Sequence, residues 1–513
     1  MTQQKKIIKF FCLTIFVLLF QFSLFAQTIT KGPYLVDPGN NSITIRWESD
    51  CKIDFKVFYG LNKSISDFQK AEFIAEKKGH FLYQAKIENL IGGKTYYYRV
   101  SGKKVKSQES AFTTLSSKSS SISFAVMGDS RSKPHIFEKI VDQINKKNPD
   151  LILSSGDLVG QGGDYEQWGE HYFNAASKII NHIPLFSAVG DHEADEVDGD
   201  EAVLFSHFLF PKKNHLKLWS SFDYGNAHFV ALDYRHPYNA QMIEWFKKDM
   251  ADSKAKWKFV IMHQPSYNFG GHCSFWGKEI WPELFRKYKV DIVFAGHSHN
   301  YERFYPTRPI SQPNSFPVTY ITTGGAGATL YPVVQNPFIA FAKSINHYVL
   351  VDVEKDKLSI KMILPDGAIL DEVSWTKNEH GIDENYLSLI KSQEELNIMG
   401  MFAEAMATKL DRLPMGVIPA LPVFNLNSKL VNEDIVFEMK LTDESRASYK
   451  MESFKGILKQ GEALQVPLVI YGKKTMTITR WGEITPVLRL MVNYKTGSFQ
   501  GQVKGMEMFY RAY

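Results

Sequence analysis

The 513-residue chain has little cysteine, little excess charge of either sign and few long apolar runs, and each shortage narrows what it can be. Three cysteines, Cys12, Cys51 and Cys273, are too few for a disulfide framework. Cys51 and Cys273 fall in different predicted domains, so a bridge between them is open but not indicated. The balance of 60 Lys+Arg against 55 Asp+Glu drops to 57 against 55 if a leader bearing Lys5, Lys6 and Lys9 is removed. Near-neutrality gives no electrostatic case for nucleic acid or an anionic membrane as partner. After the first 26 residues no stretch is apolar and long enough to span a bilayer. What is present is 44% hydrophobic and 14% aromatic, which excludes a disordered or fibrous chain and suits about three domains.

Residues 1–26 read as a secretory signal: a positive start, the apolar run Phe10 to Phe20, then Leu24-Phe25-Ala26 at a cleavage site. The mature protein is therefore expected to be secreted or periplasmic. Residues 27–115 read as all-β, with alternating runs at Ser42–Glu48, Ile53–Tyr59, Phe81–Ile87, Thr95–Val100 and Ser110–Thr114. The stretch Leu90 to Val100 resembles the tyrosine-corner segment of fibronectin type III sandwiches, with Tyr96 at the corner. A serine-rich linker, 116–121, precedes a change of period.

From residue 122 to about 375 short apolar runs alternate with amphipathic helical patterns, as α/β packing requires. Strands are expected at Ile122–Met127, Leu151–Leu153, Leu185–Val189, Phe229–Leu232, Phe259–Met262, Ile292–Ala295 and Val318–Ile321. Helices are expected at Ile136–Lys146, Tyr165–Asn181, Ala240–Ser253 and Lys278–Tyr288. Residues 384–411 read as a helical linker stopped by Pro414, Pro419 and Pro422. Residues 412–513 read as a β-rich domain with strand-like runs at Ile435–Leu441, Leu464–Ile470, Met476–Trp481 and Val487–Tyr494.

The chemistry lies at the ends of the core strands. Asp129, Asp157, Asp191-His192-Glu193, His263 and His297-Ser298-His299 each follow an apolar run, four of the five through a glycine. The carboxyl edge is where α/β sheets place their sites. Carboxylates and imidazoles together suit first-row metals, and their number suits two ions sharing a carboxylate.

Gly128-Asp129, Gly156-Asp157, Gly190-Asp191-His192-Glu193, Met262-His263 and Gly296-His297-Ser298-His299 resemble the ordered motifs of calcineurin-like metallophosphoesterases. His299-Asn300-Tyr301-Glu302-Arg303 and Thr322 to Gly327 are similar to purple acid phosphatases, as is an amino-terminal fibronectin-like domain. The resemblance covers residues 27–375. It implies an α/β core, a central β-sandwich flanked by helices, with a β-sandwich before it and a β-rich domain after it. It also implies phosphate-ester hydrolysis with two metal ions, iron, zinc or manganese, as cofactor. Carried over by position, Asp157 bridges both metals, Asp129 and His299 bind the first, and Asp191, His263 and His297 bind the second. His192 meets the substrate and its leaving group, and His272 contacts phosphate.

Three positions depart from that pattern. Arg131 stands where the family commonly has histidine, Gly160 where purple acid phosphatases have a tyrosinate, and Asp191 where the family has asparagine. The first implied metal keeps only Asp129, Asp157 and His299, and without tyrosinate no purple colour is expected. Arg131 has two readings, a phosphate clamp and a partner for a nearby carboxylate. Cys273 reads as an inert thiol. Tyr267, Tyr301 and Arg303 read as supporting or packing residues, and Trp245, Phe246, Trp276 and Trp281 as core. Phosphodiester or pyrophosphate hydrolysis, and a non-catalytic binding protein, remain alternative functions.

Overall fold

The computed structural model describes residues 27–194, 201–210, 217–378, 381–410, 423–442, 449–472 and 489–505. The leader (1–26), the three prolines after residue 411 and the run Met476–Trp481 lie outside them.

Two sheets stand face to face in the middle of the chain. The first runs from Gly381–Ile382 through Ile369–Asn378, Lys357–Ile363 and Tyr348–Glu354 to Ser121–Met127, Leu151–Ser154 and Leu185–Ser187. The second runs Ser220–Tyr224, Ala227–Ala231, Trp257–Met262, Ile292–Ala295, Thr319–Thr323, Tyr301–Phe304 and Ile339–Lys343. Parallel pairing joins the central strands of both, and antiparallel strands flank them.

Alternation along each strand builds the layers. Phe124 and Val126 point between the sheets, where Phe124 meets Phe229 and Phe259 at ring-centroid distances of 5.2 and 4.9 Å. Ala125 and Met127 point outward onto helix Pro134–Lys147, whose Phe137, Ile140, Val141 and Ile144 form a buried stripe. The second sheet likewise packs its outer face, through Val230, Val260 and Met262, on Met242, Phe246, Trp281 and Phe285. Strands covered on both faces have no polar side to show, so they read as unbroken apolar runs.

The helical readings hold at Pro134–Lys147 and Ala240–Asp252, the latter capped by Asn239, whose side chain accepts from Gln241 N and Met242 N. The expected helix Tyr165–Asn181 is instead a short α-turn, a π-helical segment Trp168–Phe173 and a second α-turn Asn174–Ala176. Trp168, Tyr172 and Phe173 are all buried there, and the wider π turn brings positions five apart onto one face. The expected Lys278–Tyr288 helix starts only at Trp281, where Pro282 sets the first turn. Glu384–Leu387 and Gln393–Leu410 are separate helices divided by the short strand Lys391–Ser392.

Strand Ile29–Gly39 has no counterpart in the sequence reading, because Gly32, Pro33 and Pro38 interrupt its alternation. It pairs antiparallel with Ser42–Ser49 and parallel with Leu185–Ser187, which extends the first core sheet into the amino-terminal sandwich. That sandwich closes on Trp47, Phe55, Tyr83, Tyr98 and Phe112. Ile91 N donates to Tyr96 Oη (2.8 Å), five residues upstream of the tyrosine. Buried Arg46 ties the sandwich to the core by donating to the carbonyls of His207 (3.0 Å) and Phe210 (2.8 Å).

Helix Gln393–Leu410 lies between the core and the carboxy-terminal strands. Tyr267 of the core donates to Asn397 Oδ1 (3.0 Å), and Phe402 packs on Phe437 and Tyr494. The strands beyond form a four-stranded sheet, Phe454–Leu458, Ile435–Leu441, Leu490–Lys495 and Gln500–Lys504, and two strand pairs. Among the described residues no helix is long and apolar enough to cross a membrane.

Candidate metal centre

The two core sheets end at a common edge, and the loops leaving their parallel strands bring Asp129, Asp157, Asp191, His192, His263, His297 and His299 together. Among the described residues, three groups of donor atoms lie within 4.8 Å of one another: Asp191, His263 and His297; Asp129, Asp157 and His263; and Asp157, Asp191 and His192. His299 belongs to none of the three.

The loops reach this density at a conformational cost. Asp129, Asp157 and His297 have left-handed backbones, with φ of 58°, 57° and 65°, a region costly for residues with a Cβ. Of the motif glycines preceding a candidate ligand only Gly156 has positive φ. The others answer a need for close approach, since a Cβ on Gly190 would collide with Asp157 and one on Gly296 with Asp129. Apart from Gly156, then, the ligand residues make the turns and glycine makes the room.

Glu193 holds the central loop. Its buried carboxylate accepts from Asp157 N (2.7 Å), Leu158 N (2.6 Å) and Gly190 N (2.7 Å), which locks the Asp157 turn onto the Asp191 turn. Burial and the neighbouring Asp157 push its carboxyl up to about 8, against the pull of the N–H groups. Burial also raises Asp157, with Asp191 and Asp129 adding to it. At Asp191 burial acts upward but His263 and His297 outweigh it, so that carboxyl lies far below its ordinary range.

Hydrogen bonds fix which histidine nitrogens face the centre. His263 Nδ1 donates to Ser155 O (2.9 Å), leaving Nε2 toward Asp191 Oδ1 (2.6 Å) and Asp157 Oδ1 (3.5 Å). His299 Nδ1 donates to Thr329 O (2.6 Å), so in the neutral ring Nε2 carries the lone pair. His192 Nδ1 donates to Gly160 O (2.5 Å), leaving Nε2 at 3.9 Å from Asp157 Oδ2 in a half-exposed position. His297 Nδ1 lies 3.5 Å from Asp191 Oδ1.

Arg131 enters the same space. Its Nε donates to Asp157 Oδ2 (3.1 Å) and its Nη2 lies 3.3 Å from His299 Nε2. Of its two readings, the carboxylate partner is present, and that partner is Asp157. Asp129 accepts from His297 N through Oδ2 (3.0 Å), while its buried Oδ1 has no hydrogen-bond partner among the described residues. Gly160 brings no side chain to the centre where the implied tyrosinate would stand, and a Cβ there would lie 2.8 Å from Gln167 Oε1.

His272 is exposed at the rim, its ring 5.0 Å from that of His297 and its Nε2 2.9 Å from Tyr331 Oη. Tyr331 was not singled out from the sequence. Its ring stacks on His299 at 4.3 Å and 13°, and its N–H donates to His299 O (2.9 Å). Tyr234, also missed, sets its ring edge-on to His263 at 5.6 Å. Neither lies in a motif; their distance from the ligands in sequence hides them.

The remaining candidates are structural. Arg303 makes a bidentate pair with Asp371 (2.7 and 2.8 Å) and Tyr301 donates to the same carboxylate (2.9 Å), pinning one core sheet to the other. Phe246, Trp276 and Trp281 are buried, and Trp245 packs partly buried against the same core. Cys51 and Cys273 are not joined in a disulfide, and the Cys273 thiol donates to Asn268 O (3.2 Å).

Comparison with known proteins agrees with this arrangement. Residues 122–301 match the family model described as calcineurin-like phosphoesterase. The chain is 29% identical over 285 residues to purple acid phosphatase 21 of Arabidopsis thaliana, spanning 51% of this chain and 63% of that protein. It is 32% identical over 228 residues to probable inactive purple acid phosphatase 27 of the same plant, 37% of each chain. These matches span less than two thirds of the curated relatives. A purple acid phosphatase from yellow lupin (Lupinus luteus) seeds has the same fold, with a TM-score of 0.60 at 20% identity over 69% of this chain and 75% of that one.

Proposed function

We propose, from the premise that residues 122–301 are a calcineurin-like phosphoesterase domain in a purple acid phosphatase-like chain, that the protein hydrolyses phosphate monoesters with bound metal. The observation that carries this reading is the convergence of three aspartates and three histidines from five strand ends at the common edge of the two core sheets.

The donors fit a metal on chemical grounds. Asp191 Oδ1 and His263 Nε2 face each other at 2.6 Å, and Asp129 Oδ1 is buried without a hydrogen-bond donor. A proton on His263 holds the first pair and His299 Nε2 lies 3.4 Å from the second oxygen, so a metal ion would compete with protons for the same lone pairs. The family and the clusters suggest a dinuclear centre, and mixed carboxylate and imidazole donors accept iron, zinc or manganese. Asp191, His263 and His297, with Asp157, would hold one ion; Asp129, Asp157 and His299 are the donors the family would use for another, and Arg131 stands among them. A metal bound there supplies Lewis acidity, polarising a phosphoryl oxygen and lowering the pKa of a water molecule toward neutrality.

The chain's own residues do the rest. Glu193 keeps the Asp157 and Asp191 turns in register. Arg131 contributes a fixed positive charge beside the phosphoryl oxygens, and His272 borders the same opening. His192, with Nδ1–H committed to Gly160 O, presents Nε2 to the site and delivers a proton from that atom to the departing alkoxide.

We further propose export, with residues 1–26 as a removable leader and the amino-terminal sandwich as a fibronectin type III-like domain. A mature amino terminus near residue 27 on protein recovered outside the cytoplasm is the expected result. The function is tested by incubating protein loaded with manganese, zinc or iron with an aryl phosphate and with its diester. Monoester turnover that Asp157→Asn abolishes is expected; a diester preference would shift the reading to a phosphodiesterase. A non-catalytic reading is favoured by Arg131 occupying His299 and Asp157, and no turnover with any metal would establish it.

A further inference from the structure

The two halves of the centre are filled differently. In the half made by Asp191, His263 and His297, each inward atom is an oxygen or nitrogen lone pair, or a proton held where a metal would sit. In the half made by Asp129, Asp157 and His299, a cation is already in place. Arg131 Nε uses Asp157 Oδ2, and Nη2 approaches His299 Nε2, the nitrogen left with the lone pair once Nδ1–H is given to Thr329 O. These are the atoms a first metal would need.

Guanidinium has five N–H donors, no lone pair to offer and no accessible deprotonated form. It cannot act as a ligand and cannot step aside by losing a proton. It adds a like charge beside any ion that tries to enter. Its side chain is only 16% exposed and its carboxylate partner 1%, so solvent does little to loosen the pair. Tyr331 stacks on the face of the His299 ring, whose Nε2 edge meets the arginine.

We infer that Arg131 is the resident cation of the Asp129–Asp157–His299 half, so that the protein holds one metal ion tightly, in the Asp191–His263–His297 half. This rests on the phosphoesterase reading for the presence of a metal at all, but not on turnover. The asymmetry also assigns Asp191 a purpose: a full carboxylate in place of the family's asparagine strengthens the half that must work alone.

The test is metal stoichiometry. Full-length protein is titrated with Mn2+ and with Zn2+, dialysed, and measured by elemental analysis; the manganese form is also measured by electron paramagnetic resonance. The wild type should retain one ion per chain with the six-line spectrum of isolated Mn2+, a second ion binding at least a hundredfold more weakly. Arg131→His should retain two ions and show the spectrum of a coupled pair. Arg131→Ala, which removes the charge without adding a ligand, should tighten the second ion at least tenfold. Two ions of equal affinity in the wild type would overturn the inference, and so would an Arg131→His protein that stays at one. The wild-type titration decides even if a variant does not fold. Aryl phosphate hydrolysis on the same samples separates the two claims: one bound ion without turnover overturns the phosphoesterase reading alone, and two equal ions with turnover overturn this inference alone.

Discussion

Asp157 is shared by two sets of donors that treat it differently. On one side it lies near His263 and Asp191, where a carboxylate and an imidazole nitrogen stand 2.6 Å apart with nothing but a proton or a metal able to hold them there. On the other side it accepts from Arg131, and the charge is already met within the chain. Both sets use the same residue types from the same kind of strand-end turn. The contrast teaches that a ligand-bearing motif reports the availability of donors, while the side chain two residues further on decides whether those donors are free.

The largest effect expected from breaking this contrast is at Asp191. Asp191→Ala should lose the tightly held metal and reduce hydrolysis by roughly a thousandfold or more, whereas Asp129→Ala should keep that metal; elemental analysis beside an aryl phosphate assay reads both. Next is His192→Ala, which should slow alkyl phosphates by about 100- to 10,000-fold and activated aryl phosphates far less. Equal losses on both substrates would remove His192 from the acid role.

Arg131→Ala should lower the stability of metal-free protein by roughly 3 kcal/mol, because it leaves Asp157 buried without its guanidinium partner. Added metal should restore the loss, and a thermal melt with and without Zn2+ checks it. A melt unchanged in both conditions would show that Arg131 does not compensate this half.

A smaller effect sharpens the role of the neighbouring strand. Burial pushes the Glu302 carboxyl up to about 7 from an ordinary value of 4.5. The folded state therefore holds this proton more tightly than the unfolded chain. The associated stability is complete below about pH 4.5 and is lost as pH rises toward 7. Glu302→Gln should match the wild type at pH 4 and exceed it at pH 8 by on the order of 2 kcal/mol, read from denaturant melts at both values. The smallest effect is Tyr331→Phe, which keeps the stack on His299 and removes the hydroxyl from His272. About a fivefold rise in KM, the worth of one hydrogen bond, is the expected result of steady-state assays.

The architecture of residues 122–375 is legible in the sequence because strands buried on both faces must be apolar throughout and because their ends carry Asp and His instead of ordinary turn residues. The candidate ligands are legible for the same reason. Strand Ile29–Gly39 is not, since its prolines and glycines break the alternation that marks a strand, and its pairing with Leu185 is a contact across 149 positions. The π-helical turn at Trp168 is hidden because three aromatics fit an α-helical pattern nearly as well. Arg131 stands out as an exception to a motif, yet only geometry reveals that the carboxylate it binds is Asp157. Tyr331 carries no motif at all, and its place on His299 depends on a loop whose course is set by backbone bonds to His299 O and Gly271 N.

The most direct test of the unequal halves is anomalous diffraction from crystals grown with Mn2+. One full-occupancy peak among Asp157, Asp191, His263 and His297, with the Arg131 guanidinium still on Asp157 and His299, is the predicted result. Two peaks of equal height about 3.5 Å apart, with Arg131 turned away, would contradict it.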